Sequence, residues 1–122
     1  MRKEIIRKVM ESVTAEFLAN LIMHDDRPKP YFEWDINCGE CEAWAYRVEK
    51  ELKALGIKSE TIGNDQFPRL EELPFHVFLR IGRKYYDCEC LEGVTRIKSL
   101  PIYSRNVDLD REEARVFYKK AA

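Results

Sequence analysis

The chain has 122 residues, 45% of them apolar and 35% charged, with a formal net charge of −1. That balance excludes a chain-wide basic field for nucleic acid, and no stretch is apolar for long enough to read as a membrane span. The length fits a single domain from residue 1 to 122 with room for a core, divided into 1–24, 31–105 and 110–121.

In the first of these stretches, "MRKEIIRKVMESVTAEFLANLIM", charges interrupt the apolar residues throughout, so it lacks the continuous apolar region of a signal peptide. Instead Ile5, Ile6, Val9, Met10, Val13, Phe17, Leu18, Leu21 and Ile22 recur at helical spacing and predict an amphipathic helix over 2–23. A cytoplasmic location is expected, and with it thiols in place of a disulfide framework for the four cysteines. Pro28 and Pro30 in "HDDRPKP" exclude helix and end the element. "YFEWDI" is short and aromatic and is expected as an irregular approach or an edge strand.

A second helix is expected over 38–55, with Cys41, Trp44, Ala45, Val48, Leu52 and Leu55 on one face and Gly56 just past its end. Asn37 and Glu40 have the spacing of a capping box, which places Cys41 in the first turn. "IKSETI" reads as a short strand, and 63–74, with Gly63, Asn64, Pro68 and Pro74, as a loop. "FHVFLRIGRKYYDCEC" alternates as a hairpin about Gly82-Arg83, a two-residue turn of type II′. An extended piece is expected over 97–103, and a last helix from Asp110 to Lys120.

The hairpin register ties two chemical groups together. A two-residue turn pairs Ile81 with Lys84, Phe78 with Asp87 and His76 with Glu89. His76 and Asp87 are then diagonal neighbours on one face, with Cβ atoms roughly 7 Å apart. A three-residue loop would send Asp87 to the other face. A carboxylate on one ring nitrogen fixes the histidine tautomer and leaves the other nitrogen for a proton from a nucleophile. A thiol at a helix start beside a histidine has the lowered pKa such a nucleophile needs, and Cys41 is so placed. Its backbone N–H and the Asn37 side chain are candidates to hold an oxyanion, and Trp44 to line the substrate site.

"GEC" and "AWA" followed by "VEKELKALGI" resemble the Gly-x-Cys helix of transglutaminase-like and papain-like proteins. "HVFLRIGRKYYD" resembles their strand pair, in which a histidine opens one strand and an aspartate closes the next. "CECLEGVTRIKSLPIYSR" is similar to small phage-type proteins with the same core, which would set the cytoplasm in a host cell. The resemblance covers residues 31–105. The expected elements together give an α+β fold, with an N-terminal helix, a Cys-bearing central helix on an antiparallel sheet and a C-terminal helix, and the resemblance implies a papain-like or transglutaminase-like core within it. It also implies Cys41 as nucleophile, His76 as base and Asp87 as the orienting acid.

Each member of this set has a plain structural use by itself. A lone helical cysteine is more often a small buried hydrophobe, a lone histidine a satisfied one, and a lone aspartate a turn acid. The ordered combination is what points to catalysis. Two other uses of the cysteines stay open here. Cys38, Cys41, Cys88 and Cys90 form a C-x-x-C and a C-x-C that could hold zinc. "CGEC" on a helix, with Pro74 before a strand, also parallels thioredoxin-like redox chains. The expected activity is thiol-dependent acyl-group chemistry of peptidase, amidase or deamidase type, on a protein or peptide-like substrate. No cofactor, nucleic acid or membrane is implied. The alternative within the same fold is an inactive module that binds or inhibits a partner.

Overall fold

The structure, a computed structural model, describes residues 2–24 and 31–104. Helix α1 runs Arg2–His24 as its spacing predicts. Ile6, Met10 and Val13 are buried on its inner stripe, while Ile5 and Ile22 at the stripe's margin stay exposed. The proline segment 25–30 and the C-terminal helix expected over 110–120 lie outside the described residues.

The stretch expected to be extended folds as a short helix instead, α2, Glu33–Asn37. Phe32 is extended before it, and the Asp35 carboxylate returns to accept the Phe32 N–H at 2.8 Å. This local capping, together with the burial of Ile36, outweighs the β-preference of the aromatics. Because α2 takes up Asn37, helix α3 begins three residues later than expected and runs Cys41–Ala54. Its N-cap is Glu40, which makes no side-chain cap bond, so the expected Asn37–Glu40 capping box is absent. At the other end Gly56 takes φ +77°, and the Gly56 and Ile57 N–H groups close on Lys53 and Leu52. This is the glycine-terminated end that the sequence predicts. Leu55, expected on the buried face, is instead exposed beside this turn.

Strands β1 (Glu60–Gly63), β2 (Val77–Ile81), β3 (Lys84–Asp87) and β4 (Cys90–Val94) form one antiparallel sheet in chain order. The β2–β3 register is the expected one, with Ile81 opposite Lys84 and Leu79 opposite Tyr86. Gly82 has φ +61° and no non-glycine residue has a positive φ among the described residues, as a type II′ turn requires. β4 lies earlier than the extended piece expected at 97–103; that segment forms a 3-10 turn, Ile97–Ser99, and the short helix α4, Pro101–Ser104. Leu100 is fully buried between them, so this segment folds down onto the sheet rather than extending it.

The sheet therefore has two covered faces. On one, Val77, Leu79, Tyr86 and Cys88 pack with α1, α2 and α3 through Met10, Ile36, Trp44, Val48 and Leu52. On the other, Phe78 and Ile62 pack under Ile97 and Leu100, with Tyr85 and Tyr103 at the margin. The alternation of β2 divides its residues between these two cores. The α+β architecture is thus an antiparallel four-stranded sheet with helices on one side and the 97–104 segment on the other.

Candidate active site

Cys41 is the first residue of α3. With no side chain capping the helix, the N–H groups of its first turn have no intrahelical partner and carry the positive end of the helix dipole. The thiol is half-buried and packs at the edge of the helix-side core. His76 stands immediately before β2 and is completely buried. Its Nε2 lies 2.9 Å from Asp87 Oδ2, at the end of β3, and Asp87 is itself only 1% exposed. A carboxylate can only accept, so Nε2 carries the proton. That leaves Nδ1 as the nitrogen open to a nucleophile, and it is buried with no partner of ordinary hydrogen-bond geometry.

The Cys41 thiol lies within interaction range of this ring. Burial alone would raise its pKa. The hydrogen bond and charge of His76, with the backbone N–H groups of Val77 and Glu42, outweigh burial and bring it below 9.0. Burial likewise opposes a charged His76, but Asp87 and Cys41 together raise its pKa from 6.5 to about 9. Each group thus favours the charged form of the other. Catalytic hydrogen bonds of this sort are commonly loose before substrate binds and tighten on binding.

His76 is fixed by its surroundings as well as by Asp87. Its ring packs at 6.1 Å against Phe78 and at 6.1 Å, edge-on, against Tyr103. The Tyr103 hydroxyl donates to Pro74 O at 3.1 Å, and burial, then the charges of Asp87 and Cys41, push its pKa up. Asp87 Oδ1 accepts the Glu89 N–H at 2.9 Å, which orients the other oxygen toward His76. The His76 N–H donates to the side chain of Asn64. Sequence reasoning left Asn64 and Tyr103 out. Asn64 sits in a turn-forming "GND", and Tyr103 in a stretch read as extended, so neither carried a signal connecting it to His76.

The sequence therefore nominated five residues, and the structure brings three of them together. Asn37 is buried, and its amide is engaged: Nδ2 donates to Glu89 Oε1 at 2.8 Å, while Oδ1 accepts from Cys88 Sγ at 3.1 Å. It braces the β3–β4 turn against α2. Trp44 lies in the helix-side core at 1% exposure and donates from Nε1 to Thr14 Oγ1 at 3.0 Å, so it joins α3 to α1 and does not line a substrate site.

The zinc arrangement is not formed. Cys88 sits in the β3–β4 turn and belongs to the helix-side core, whereas Cys90 packs with the opposite one, so the tight turn separates them. No group of three or more potential metal ligands occurs among the described residues. None of the four cysteines forms a disulfide; Cys38 is exposed and Cys88 buried. The thioredoxin-like arrangement fails as well, because the element before the cysteine pair is helix α2 and not a strand. No helix among the described residues is long and apolar enough to cross a membrane.

Compared with known proteins, the chain matches no family model, no curated protein and no solved structure.

Proposed function

We propose that this protein is a thiol-dependent hydrolase or acyltransferase acting on an amide or ester of a protein or peptide-like substrate through Cys41, His76 and Asp87. The observation that carries this reading is a buried histidine whose Nε2 is held by a buried carboxylate at 2.9 Å and whose unpartnered Nδ1 remains for the thiol at the start of α3. In this mechanism the Cys41 sulfur attacks the acyl carbon. The carbonyl oxygen, now negative, is met by N–H groups at the α3 start. His76 Nδ1 gives its proton to the leaving amine or alcohol as the tetrahedral intermediate collapses to a thioester. A water or acceptor nucleophile then loses a proton to the same nitrogen as it attacks the thioester, and Cys41 leaves as thiolate. Asp87 keeps the proton on Nε2 throughout and stabilises the imidazolium.

A second reading is a binding or inhibitor module built on the same fold. It is favoured by the complete burial of His76 and Asp87 beneath Phe78 and Tyr103. One experiment separates the two. Each cysteine is mapped by mass spectrometry after iodoacetamide labelling across pH 5–9, in wild type and His76→Ala, and a p-nitrophenyl ester is offered to detect an acyl adduct. For an enzyme, Cys41 labels first, with an apparent pKa below 9.0, becomes acylated, and loses both properties in His76→Ala. An inert Cys41, or labelling confined to Cys38, removes the triad reading and leaves the binding module.

A further inference from the structure

We infer that Asn64 is the positioning residue for His76: it pins the histidine backbone beyond the end of the strand ladder and so sets where the imidazole stands relative to Cys41. This inference rests on the triad reading and deepens it. The β1–β2 ladder ends at the pair Gly63–Val77, so His76 lies one residue outside regular pairing, where a strand meets a long loop. Backbone at such a junction frays unless something else holds it. Asn64 supplies that hold twice. Its backbone N–H donates to His76 O at 3.2 Å, and its Oδ1 accepts the His76 N–H at 2.9 Å.

The rest of the side chain secures the approach to the histidine. Nδ2 donates to Leu70 O at 2.8 Å and to Leu73 O at 3.3 Å, drawing the 70–73 loop against the same residue. Both amide hydrogens and the amide oxygen are therefore spent on the segment that delivers His76, and Asn64 itself is 1% exposed. Only its carbonyl serves its own 3-10 turn, accepting the Phe67 N–H. A residue needed merely to start that turn would not require an amide directed at the 70–76 segment. Asn64 is hydrogen-bonded to neither Cys41 nor Asp87 and acts through His76. A base held to within about half an ångström is what a proton-transfer pair requires.

The test combines three measurements. In wild type, amide hydrogen exchange should show the His76 N–H protected to the same degree as Leu79 within β2. In Asn64→Ala, shown to be folded by near-ultraviolet circular dichroism, the apparent pKa of Cys41 alkylation should move up to 9.0 or beyond. The alkylation rate at pH 7 should then fall by roughly tenfold for each unit of that rise. The His76 imidazole titration, followed by NMR, should fall from its midpoint of about 9. A folded Asn64→Ala with unchanged pH profile and unchanged imidazole midpoint overturns the inference, since a purely structural role would lower stability alone. If the variant does not fold, wild-type exchange decides: protection at His76 supports the clamp, and exchange at a loop rate overturns it. An ordinary Cys41 in wild type would sink the triad reading, while the imidazole and exchange measurements would still judge the clamp.

Discussion

Cys41 and Cys88 are both shielded thiols, close enough for the charge of one to act on the other, and their acidities are driven in opposite directions. Cys88 shows what burial does unopposed. It is 2% exposed, its S–H lies 3.0 Å from Glu33 O and 3.1 Å from Asn37 Oδ1, and carboxylates surround it. Burial, followed by the charges of Asp87, Glu89 and Glu33, pushes its pKa well up, so it remains a neutral packing group. Cys41 also pays for desolvation, but it has a histidine and two backbone N–H groups to accept the charge. The lesson is that Asp87 works against the thiolate at Cys88 directly and in favour of the thiolate at Cys41 through His76. One carboxylate sets two cysteines apart because a cation stands between it and only one of them.

The largest expected effect comes from removing that carboxylate's charge. In Asp87→Asn the burial of His76 loses its main opponent, so the imidazole midpoint drops from about 9 by more than a unit, read by NMR. Cys41 alkylation at pH 7 then falls by tenfold or more while Cys88 stays unlabelled in both proteins. A Cys41 rate within twofold of wild type would mean that the backbone N–H groups alone support the thiolate.

The same pair makes stability depend on pH. The folded pKa of His76 is raised, so its contribution is complete below pH 6.5 and is lost as the pH rises through about 9. The folded pKa of Cys41 is lowered, so its contribution is present above pH 9.0 and is lost as the pH falls through the lowered value. Urea midpoints measured from pH 6.5 to 10 should therefore decline in wild type relative to a His76→Ala, Cys41→Ala double variant between pH 6.5 and the lowered Cys41 value, where the Cys41 gain begins to offset the His76 loss, and run parallel to it above about 9. Curves parallel from pH 6.5 upward would indicate that the two groups do not couple in the folded state.

A smaller effect is expected on the inert side of the comparison. Cys88→Ala leaves Asn37 Oδ1 buried without its thiol and should cost about 1–3 kcal/mol in denaturant titration. Cys41 alkylation should stay within twofold of wild type; a larger change would tie the β3–β4 turn to the nucleophile. The smallest is Arg7→Ala. Its bridges to Glu11 and Glu92 are exposed and screened by solvent, so no resolvable loss of stability is expected in denaturant titration. A resolvable loss would reveal that α1 is fastened to β4 chiefly by charge.

What could be read from the sequence was whatever depends on short spacing. The Gly82-Arg83 turn dictates the register that puts His76 and Asp87 on one face, and helical spacing places Ile6, Met10 and Val13 inside. Position 41 was legible as a helix start even though the cap assigned to it was wrong. What escaped were choices made by distant partners. Asn37 looks like a local cap, yet residues 88 and 89 claim its amide from 51 and 52 positions away. Trp44 looks like a cleft wall until Thr14, 30 positions earlier, is found at its indole nitrogen. The aromatic 31–36 stretch favours strand by propensity, and a carboxylate three residues from Phe32 turns it into helix. Asn64 carries an ordinary turn signal, and only the folded β1–β2 connection shows what its side chain holds.

The Gly82-Arg83 turn also bears on how this chain can change over evolutionary time. Substitutions on the outer surface of the hairpin leave His76 and Asp87 facing one another, but a single inserted or deleted codon between Ile81 and Lys84 exchanges the two faces of everything after it. Tyr86 would then meet the 97–104 side, Asp87 would meet the helices, and one frame-preserving event would dismantle both cores and the site together. Sequences descended from a common ancestor with this one should therefore hold the hairpin turn to two residues even where the residues flanking it differ.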